Sequence, residues 1–470
     1  MRTLSTTRSV PDPTPLLFAV AVALAWVLVS RDPGPAGPWV LGALMAPAAC
    51  AVMYVLSRHV GAALWALLAA VTLSRFYVEV GGMKARPEHI LIGLLCVAAL
   101  FHWRRRAEPL RWLVADYFLL AYTGLNLLSS LTMSIAPSQT FKWAMQQALV
   151  ILAYFLMRIL AGEPETFRRA VRVLVALGAL EGAYAVVCFY SNFLFGTEFG
   201  VAVDQYGTLP GTYGTILEAN FLGAICGASL VMALVLYFQE RRRRYLLALG
   251  LTYAGLIIAL SRAAIIASAL AVVVLFFAAR KTRLIDWRGF RAACVALLWA
   301  SMLLAPAMIP LYLERFSTVE VSDLSADPDT LTRIVTYAVA IEDIAQHPVL
   351  GNGTSSFQLL VSNEEMGFGD LGTGAWVGNL EVRVLHDTGA FGLAALCCFL
   401  IYLAVPAWKL LRKEQQPELL ALMLSALIYS MTFQATEGTL LAFTWVHLGL
   451  IACAISIYYP RGKGLREPLA

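Results

Sequence analysis

The sequence predicts an all-α polytopic membrane protein with about 12–14 transmembrane helices and one large external loop. Three observations carry that prediction. Of the 470 residues, 60% are hydrophobic and 14% charged, with a mean hydropathy of +0.72; soluble domains average roughly 45–50% apolar and about 25% charged. The apolar residues fall in separate stretches of span length, which leaves no block for a soluble globular domain of ordinary size. The cations alternate, with 26 of the 35 Lys and Arg in every second connection. Soluble enzymes, DNA-binding folds and secreted disulfide scaffolds are excluded. The net charge of +5 reports topology rather than a nucleic-acid partner.

Apolar stretches lie at about residues 15–30, 39–56, 61–74, 88–103, 113–131, 142–160, 170–192, 214–238, 245–260, 263–279, 292–312, 389–407, 417–434 and 439–459. The first follows Arg2 and Arg8 as a signal peptide would, but "WVLVSRDPGPAGP" offers no small-x-small cleavage site, so it is kept as a span. Basic clusters at 104–111, 158–172, 241–244, 280–291, 409–413 and 461–466 predict that both termini are cytoplasmic. All eight cysteines sit inside apolar stretches, so neither a structural disulfide nor a zinc site is expected.

The run at residues 245–279 has 35 residues, which as one helix would extend ~52 Å against a ~30 Å hydrocarbon core. Basic clusters flank both of its ends. The run is therefore read as two spans with Arg262 at their outer apex.

Residues 313–388 form the external loop. Within 313–380 ten acidic residues face two basic ones, Arg315 and Arg333. The segment "LTRIVTYAVAIEDIAQHP" has helical periodicity, with Leu331, Ile334, Tyr337, Ala338, Ile341 and Ile344 on one face, and is read as an amphipathic helix over the membrane surface. "PVLGNGTSSF" then supplies a turn. The acidic "DLSADPD" (Asp323, Asp327, Asp329) lacks the Gly and terminal Glu of a calcium loop and is read as solvated.

Outside the cytoplasmic clusters nine cations remain: Arg31, Arg75, Lys84, Arg86, Lys142, Arg262, Arg315, Arg333 and Arg383. An anionic headgroup handled on the outer side must be bound by some of these. Arg262 admits two readings, a guanidinium snorkelling to headgroups or a forked phosphate ligand in a cavity. Glu181, mid-span in "ALGALEGAYAVV", is either a proton-relay group or a protonated carboxyl paired with another helix.

Four motifs in order, "GTLPGTYGTILEANFLGAIC", "IIALSRAAIIASALAVVVLFF", "TRIVTYAVAIEDIAQHPVLGNGTSSF" and "NLEVRVLHDTGAFGL", resemble the O-antigen ligase and polymerase superfamily. The resemblance covers about residues 205–410. It divides the chain into N-terminal transmembrane helices (1–200), a ligase/polymerase-like catalytic region (201–410) and C-terminal transmembrane helices (411–470). It implies a GT-C-like helical fold. It further implies inverting transfer of a glycan from an undecaprenyl-pyrophosphate carrier at the outer face of the bacterial inner membrane, with no cofactor and no metal. The implied partners are that lipid-linked oligosaccharide and polysaccharide assembly proteins such as a flippase or chain-length regulator.

By the resemblance, Arg262 matches the Ser-Arg motif that binds the donor pyrophosphate, and Arg333 the arginine opening the loop helix. Two departures stand out. No cation precedes "GTYG", so Arg75, Lys84 and Arg86 are the candidates to replace the missing arginine. Gly378-Asn379 stands where ligases carry His-Asn. The catalytic candidates are then His386, Glu381 and Glu218, with Asn220, Asn379 and Arg383 positioning the acceptor and Asp387 beside them. His386 can also be read as a helix-end histidine bonded to the backbone, and His347 as structural. Loss of the His-Asn pair points to polymerisation of repeat units. The alternatives are an O-antigen ligase, a transporter or flippase of a lipid-linked sugar, or a scaffold with no need of Arg262.

Overall fold

The structure is a computed structural model describing residues 54–56, 58–80, 83–105, 110–203, 210–282, 286–317, 328–360, 376–414 and 416–459. The predicted span 15–30 and most of 39–56, Cys50, both terminal cation clusters, Asp323 and Asp327, and the side chains of Lys84 and Arg315 lie outside the described residues.

From Val60 onward the predicted stretches form helices α1 (Val60–Val71), α2 (Pro87–Arg105), α3 (Val114–Thr132), α4 (Pro137–Leu160), α5 (Pro164–Phe195), α6 (Ala219–Glu240), α7 (Arg243–Ile258), α8 (Arg262–Thr282) and α9 (Trp287–Ser317). The loop region contributes α10 (Pro328–Ile344) and the single turn α11 (Phe357–Leu360), and the chain continues through α12 (Leu380–Glu414), α13 (Pro417–Thr432) and α14 (Ala442–Tyr458). Five helices, α4, α5, α6, α9 and α12, are long and apolar enough to cross a membrane, and shorter apolar helices accompany them. The chain is an all-α multi-pass membrane protein. Among the described residues the only strands are two small antiparallel hairpins, β1 (Val78–Val80) with β2 (Met83–Ala85) and β3 (Val201–Val203) with β4 (Pro210–Thr212).

Helix α6 is the centre of the bundle. It is apolar on every side, as suits the middle of a membrane bundle, and every residue from Phe221 to Phe238 is buried. Helices α5, α7, α8 and α13 pack around it. Small residues set the spacing: Gly182 of α5 and Gly255 of α7 approach so closely that a methyl group on either would meet the backbone of the other helix.

The bundle has two chemically different ends. At the arginine-rich end Glu240 pairs with Arg172, Arg242 and Arg244, and the buried Arg158 pairs with Asp116. Tyr154 donates to the same aspartate at 2.7 Å and Leu113 N at 2.7 Å, so both oxygens of this carboxylate in an apolar bundle are engaged. The opposite end gathers the turn between α7 and α8, the start of α6 and the α10 region. Here the long apolar run breaks as length required, with α7 ending at Ile258, Leu260 at φ 54 in the turn, and Arg262 opening α8.

Helix α12 is broken at Gly389, whose φ of 64 and ψ of −169 are open essentially to glycine alone. The break frees backbone groups, and the segment after α10 fills them. Asn352 and Gly353 donate to the carbonyls of His386 and Asp387 at 2.8 and 3.0 Å, while Ala390 donates to Pro348 O at 2.9 Å.

The face of α10 that packs on the protein is largely distinct from the apolar face that the sequence reading laid over the membrane surface. Thr336 and Ala340 are buried, with Tyr337 and Val339 beside them against Phe357, Val377 and Val382, while Ile334, Ala338 and Ile341 are exposed. The reason is polar: Arg333 and Asp343 both find partners in the protein, and they set the rotation of the helix.

Candidate functional site

The site forms where five segments meet at the non-arginine-rich end: the chain after α1, the starts of α2, α6 and α12, and α10. A sixth, the turn "FQATEGTL" at residues 433–440 between α13 and α14, lies between them. Arg333 donates to Ala435 O at 2.8 Å, and Arg86 reaches Leu440 O at 3.5 Å. Thr436 donates to Glu218 at 3.2 Å. Gln434 donates to Glu381 at 2.7 Å and accepts from Asn379 at 3.1 Å. Glu437 pairs with Arg383. Six residues singled out in the sequence thus converge on a turn that the sequence reading treated as a short connection.

Glu218 is the N-cap residue of α6, yet its side chain does not cap the helix. Residue 218 is exposed as a whole, while its carboxylate lies in a recess where Thr436 donates to it at 3.2 Å and the charges of Arg333, Arg75 and Arg86 act on it. Desolvation by the surrounding protein outweighs those cations and pushes the carboxyl above the usual carboxylate range. Arg75 lies 3.8 Å over the ring of Tyr213 and donates to Leu217 O at 3.0 Å, so its guanidinium is held beside the start of α6. Arg86 pairs with the buried Glu88 at 3.4 Å. Asn220 accepts from Ser261 at 2.8 Å, which ties the start of α6 to the residue preceding Arg262.

Asn379 caps α12, its Oδ1 accepting from Val382 N at 3.0 Å, and Glu381 is exposed beside it. Arg383 and His386 lie deeper, in a closed polar lattice. Arg383 contacts Glu437, Asp387 at 3.3 Å and Ser355 at 2.8 Å, with Trp376 5.0 Å from its guanidinium. His386 is fully buried. Its Nε2 lies 2.7 Å from Asp343 and its Nδ1 3.2 Å from Asp387. With a carboxylate at each nitrogen the ring carries both protons, which leaves no nitrogen to accept one from a substrate. The backbone-bonded alternative does not describe it either, since both ring partners are side chains. His347 packs locally, 2.5 Å from Asn352 Oδ1.

The sequence reading therefore missed Gln434, Thr436 and Glu437. The available signal was an amide, two hydroxyls and a carboxylate in "QATEGT" between two otherwise apolar spans. Chemically, the recess can bind a multiply charged anion through several guanidinium groups and offers the Glu218 carboxylate beside them.

Residues 245–400 match the family model described as O-antigen ligase. The matched region runs from α7 through Arg262, α10 and the Gly389 break, and the match supports an enzyme of the O-antigen ligase and polymerase type. No curated protein matches the chain.

Proposed function

We propose that this chain, whose residues 245–400 belong to the O-antigen ligase family, polymerises lipid-linked oligosaccharide repeats. In this reading the end carrying α10 is external, both termini are cytoplasmic and the membrane is the bacterial inner membrane. The donor is an undecaprenyl-pyrophosphate-linked oligosaccharide. Arg262, Arg333, Arg75 and Arg86 hold its pyrophosphate, and Glu218 accepts the proton of the acceptor hydroxyl as that oxygen attacks the anomeric carbon from the face opposite the phosphate. The configuration inverts, and the carrier pyrophosphate leaves with its new charge against the guanidinium groups. No metal is required for that charge stabilisation.

The single observation that supports this reading best is the convergence of Arg75, Arg86 and Arg333 on the segments that frame Glu218, through the carbonyls of Leu217, Leu440 and Ala435, with Thr436 of the same turn bonded to the Glu218 carboxylate. A catalytic base must be reachable by substrate and able to lose its proton. Glu218 is an exposed residue with a titratable carboxyl, whereas His386 is enclosed and doubly hydrogen-bonded. Asn220, Asn379 and Glu381 line the approach, and Arg383 supports them from below.

The test is the glycan made by a strain lacking the protein. Under the proposal the polymer is lost while single repeats are still made or transferred. Full-length polymer retained on the carrier, with only attachment to lipid A core lost, would make the protein a ligase. Repeats trapped on the cytoplasmic side would make it a flippase.

A further inference from the structure

Glu181 lies in the middle of α5, where an ionisable side chain is costly, and it is 6% exposed. Its Oε1 is 2.5 Å from the hydroxyl of Thr215, and the same hydroxyl is 2.6 Å from the carbonyl of Thr72. Its Oε2 is buried without a hydrogen bond and packs on Gly214, which stands at φ 61 and could not carry a side chain there without crowding that oxygen.

Counting hydrogens decides what these contacts mean. A carbonyl only accepts, and a threonine hydroxyl has one proton to give. If Thr215 donates to Thr72 O, the contact to Glu181 needs a proton from the carboxyl. If Thr215 donates to Glu181 instead, Thr72 O and Thr215 Oγ1 are two acceptors facing each other at 2.6 Å. Only a protonated Glu181 satisfies both contacts. It also removes the cost of burying a carboxylate with one oxygen unbonded.

The consequence reaches the site. Thr72 follows the last residue of α1, and Thr215 lies between Tyr213 and Glu218. Arg75 N donates to Thr215 O at 3.1 Å, its guanidinium donates to Leu217 O at 3.0 Å, and it stacks on Tyr213. The chain after α1 and the chain before α6 are thus fastened together, with Glu181 as the deepest point of the fastening. We infer that Glu181 is a positioning residue: a neutral carboxylic acid that donates to Thr215 and thereby sets Arg75 beside Glu218. This rests on the reading of that recess as the donor-binding site.

The test uses the full-length protein with Glu181→Gln, Glu181→Ala, Thr215→Val and the Glu181→Ala/Thr215→Val pair. Glutamine is neutral and its amide can donate to Thr215, so Glu181→Gln keeps transfer near the wild-type level. Alanine and Thr215→Val each raise the KM for the lipid-linked donor by about ten-fold, the scale of one lost hydrogen bond, with a smaller change in kcat. The double variant is no worse than either single one, because both remove the same contact. Infrared difference spectra of the purified protein, wild type minus Glu181→Gln and without substrate, show a carboxylic-acid C=O band. That readout is independent of the reaction catalysed, so it separates failure of this inference from failure of the proposed function. Absence of the band, Glu181→Gln as impaired as Glu181→Ala, or an unchanged donor KM in Glu181→Ala would each overturn it.

Discussion

Replacing Arg383 by methionine removes the one guanidinium that contacts both Glu437 and Asp387, each of them 7% exposed or less. The side chain that leaves is itself 4% exposed, so solvent cannot fill in for it. Breaking one buried pair by removing a partner costs ~3–5 kcal/mol, because a charge is left buried without compensation. Asp387 keeps the amide of Ser355 at 2.9 Å and the His386 ring, and so bears the loss better. Glu437 keeps only Thr439, through its amide and hydroxyl, and bears it worse. The expected loss is therefore one uncompensated carboxylate, ~3–5 kcal/mol, or roughly 150- to 5,000-fold in the folded-to-unfolded ratio. Adding Glu437→Gln to Arg383→Met removes that carboxylate and recovers more than half of the loss. The assay is equilibrium unfolding in mixed micelles for wild type, both single variants and the pair. A loss below about 1 kcal/mol for Arg383→Met, or no recovery in the pair, would refute the argument that this lattice is a compensated buried ion network.

Other expectations follow from the same geometry. Arg262→Lys should lose much of the transfer activity and Arg262→Ala about 100- to 1,000-fold in rate, since an ammonium cannot reproduce a forked contact to two phosphate oxygens; wild-type rates from the alanine variant at matched protein level would remove Arg262 from the site. A general base works ionised, so with the Glu218 carboxyl raised the activity should rise with pH through a limb above the usual carboxylate range and then level; Glu218→Gln should abolish that limb along with most of the rate, and an unchanged profile would exclude Glu218. Impermeant thiol reagents applied from outside should label a cysteine placed at the exposed Gln346 and miss one at the exposed Arg243; the reverse pattern would invert the proposed orientation. Transfer should persist in the presence of a chelator, and its loss with recovery on adding back a divalent cation would contradict the metal-independent proposal.

The bundle and its two ends were legible because they depend on quantities that run along the chain. Span length and alternation of cations required a break near Arg262, and the break is there between Ile258 and Arg262. Arg75, Arg86, Arg333 and Glu218 were chosen one by one as charges left over on one side, and they do gather. Their meeting point was not legible, because Arg333 and Arg86 bind the carbonyls of Ala435 and Leu440, and a carbonyl has no signature in sequence. The surroundings of His386 were hidden for a related reason. Asp387 is its neighbour in sequence, but Asp343, the residue that closes its other nitrogen, comes from a separate helix. The apolar face of α10 read from spacing stays largely outward, at Ile334, Ala338 and Ile341, while Arg333 and Asp343 tie the helix to Ala435 and His386, contacts that spacing does not reveal.

The break at Gly389 divides α12 into a polar part and a long apolar part. From Ala390 to Glu414 the helix is about 37 Å long at ~1.5 Å per residue, enough to cross a bilayer on hydrophobicity alone. The stretch from Leu380 to Thr388 carries Glu381, Arg383, His386 and Asp387, and nothing in hydrocarbon would hold it. During synthesis the ribosome releases Asp343, Ser355 and residues 348–353 before any of α12, so these partners of the polar stretch already exist when it emerges, whereas Gln434 and Glu437 follow it. The membrane half can then partition into lipid first while the polar half assembles by recognition, and a single glycine keeps the second event from having to wait on a continuous helix.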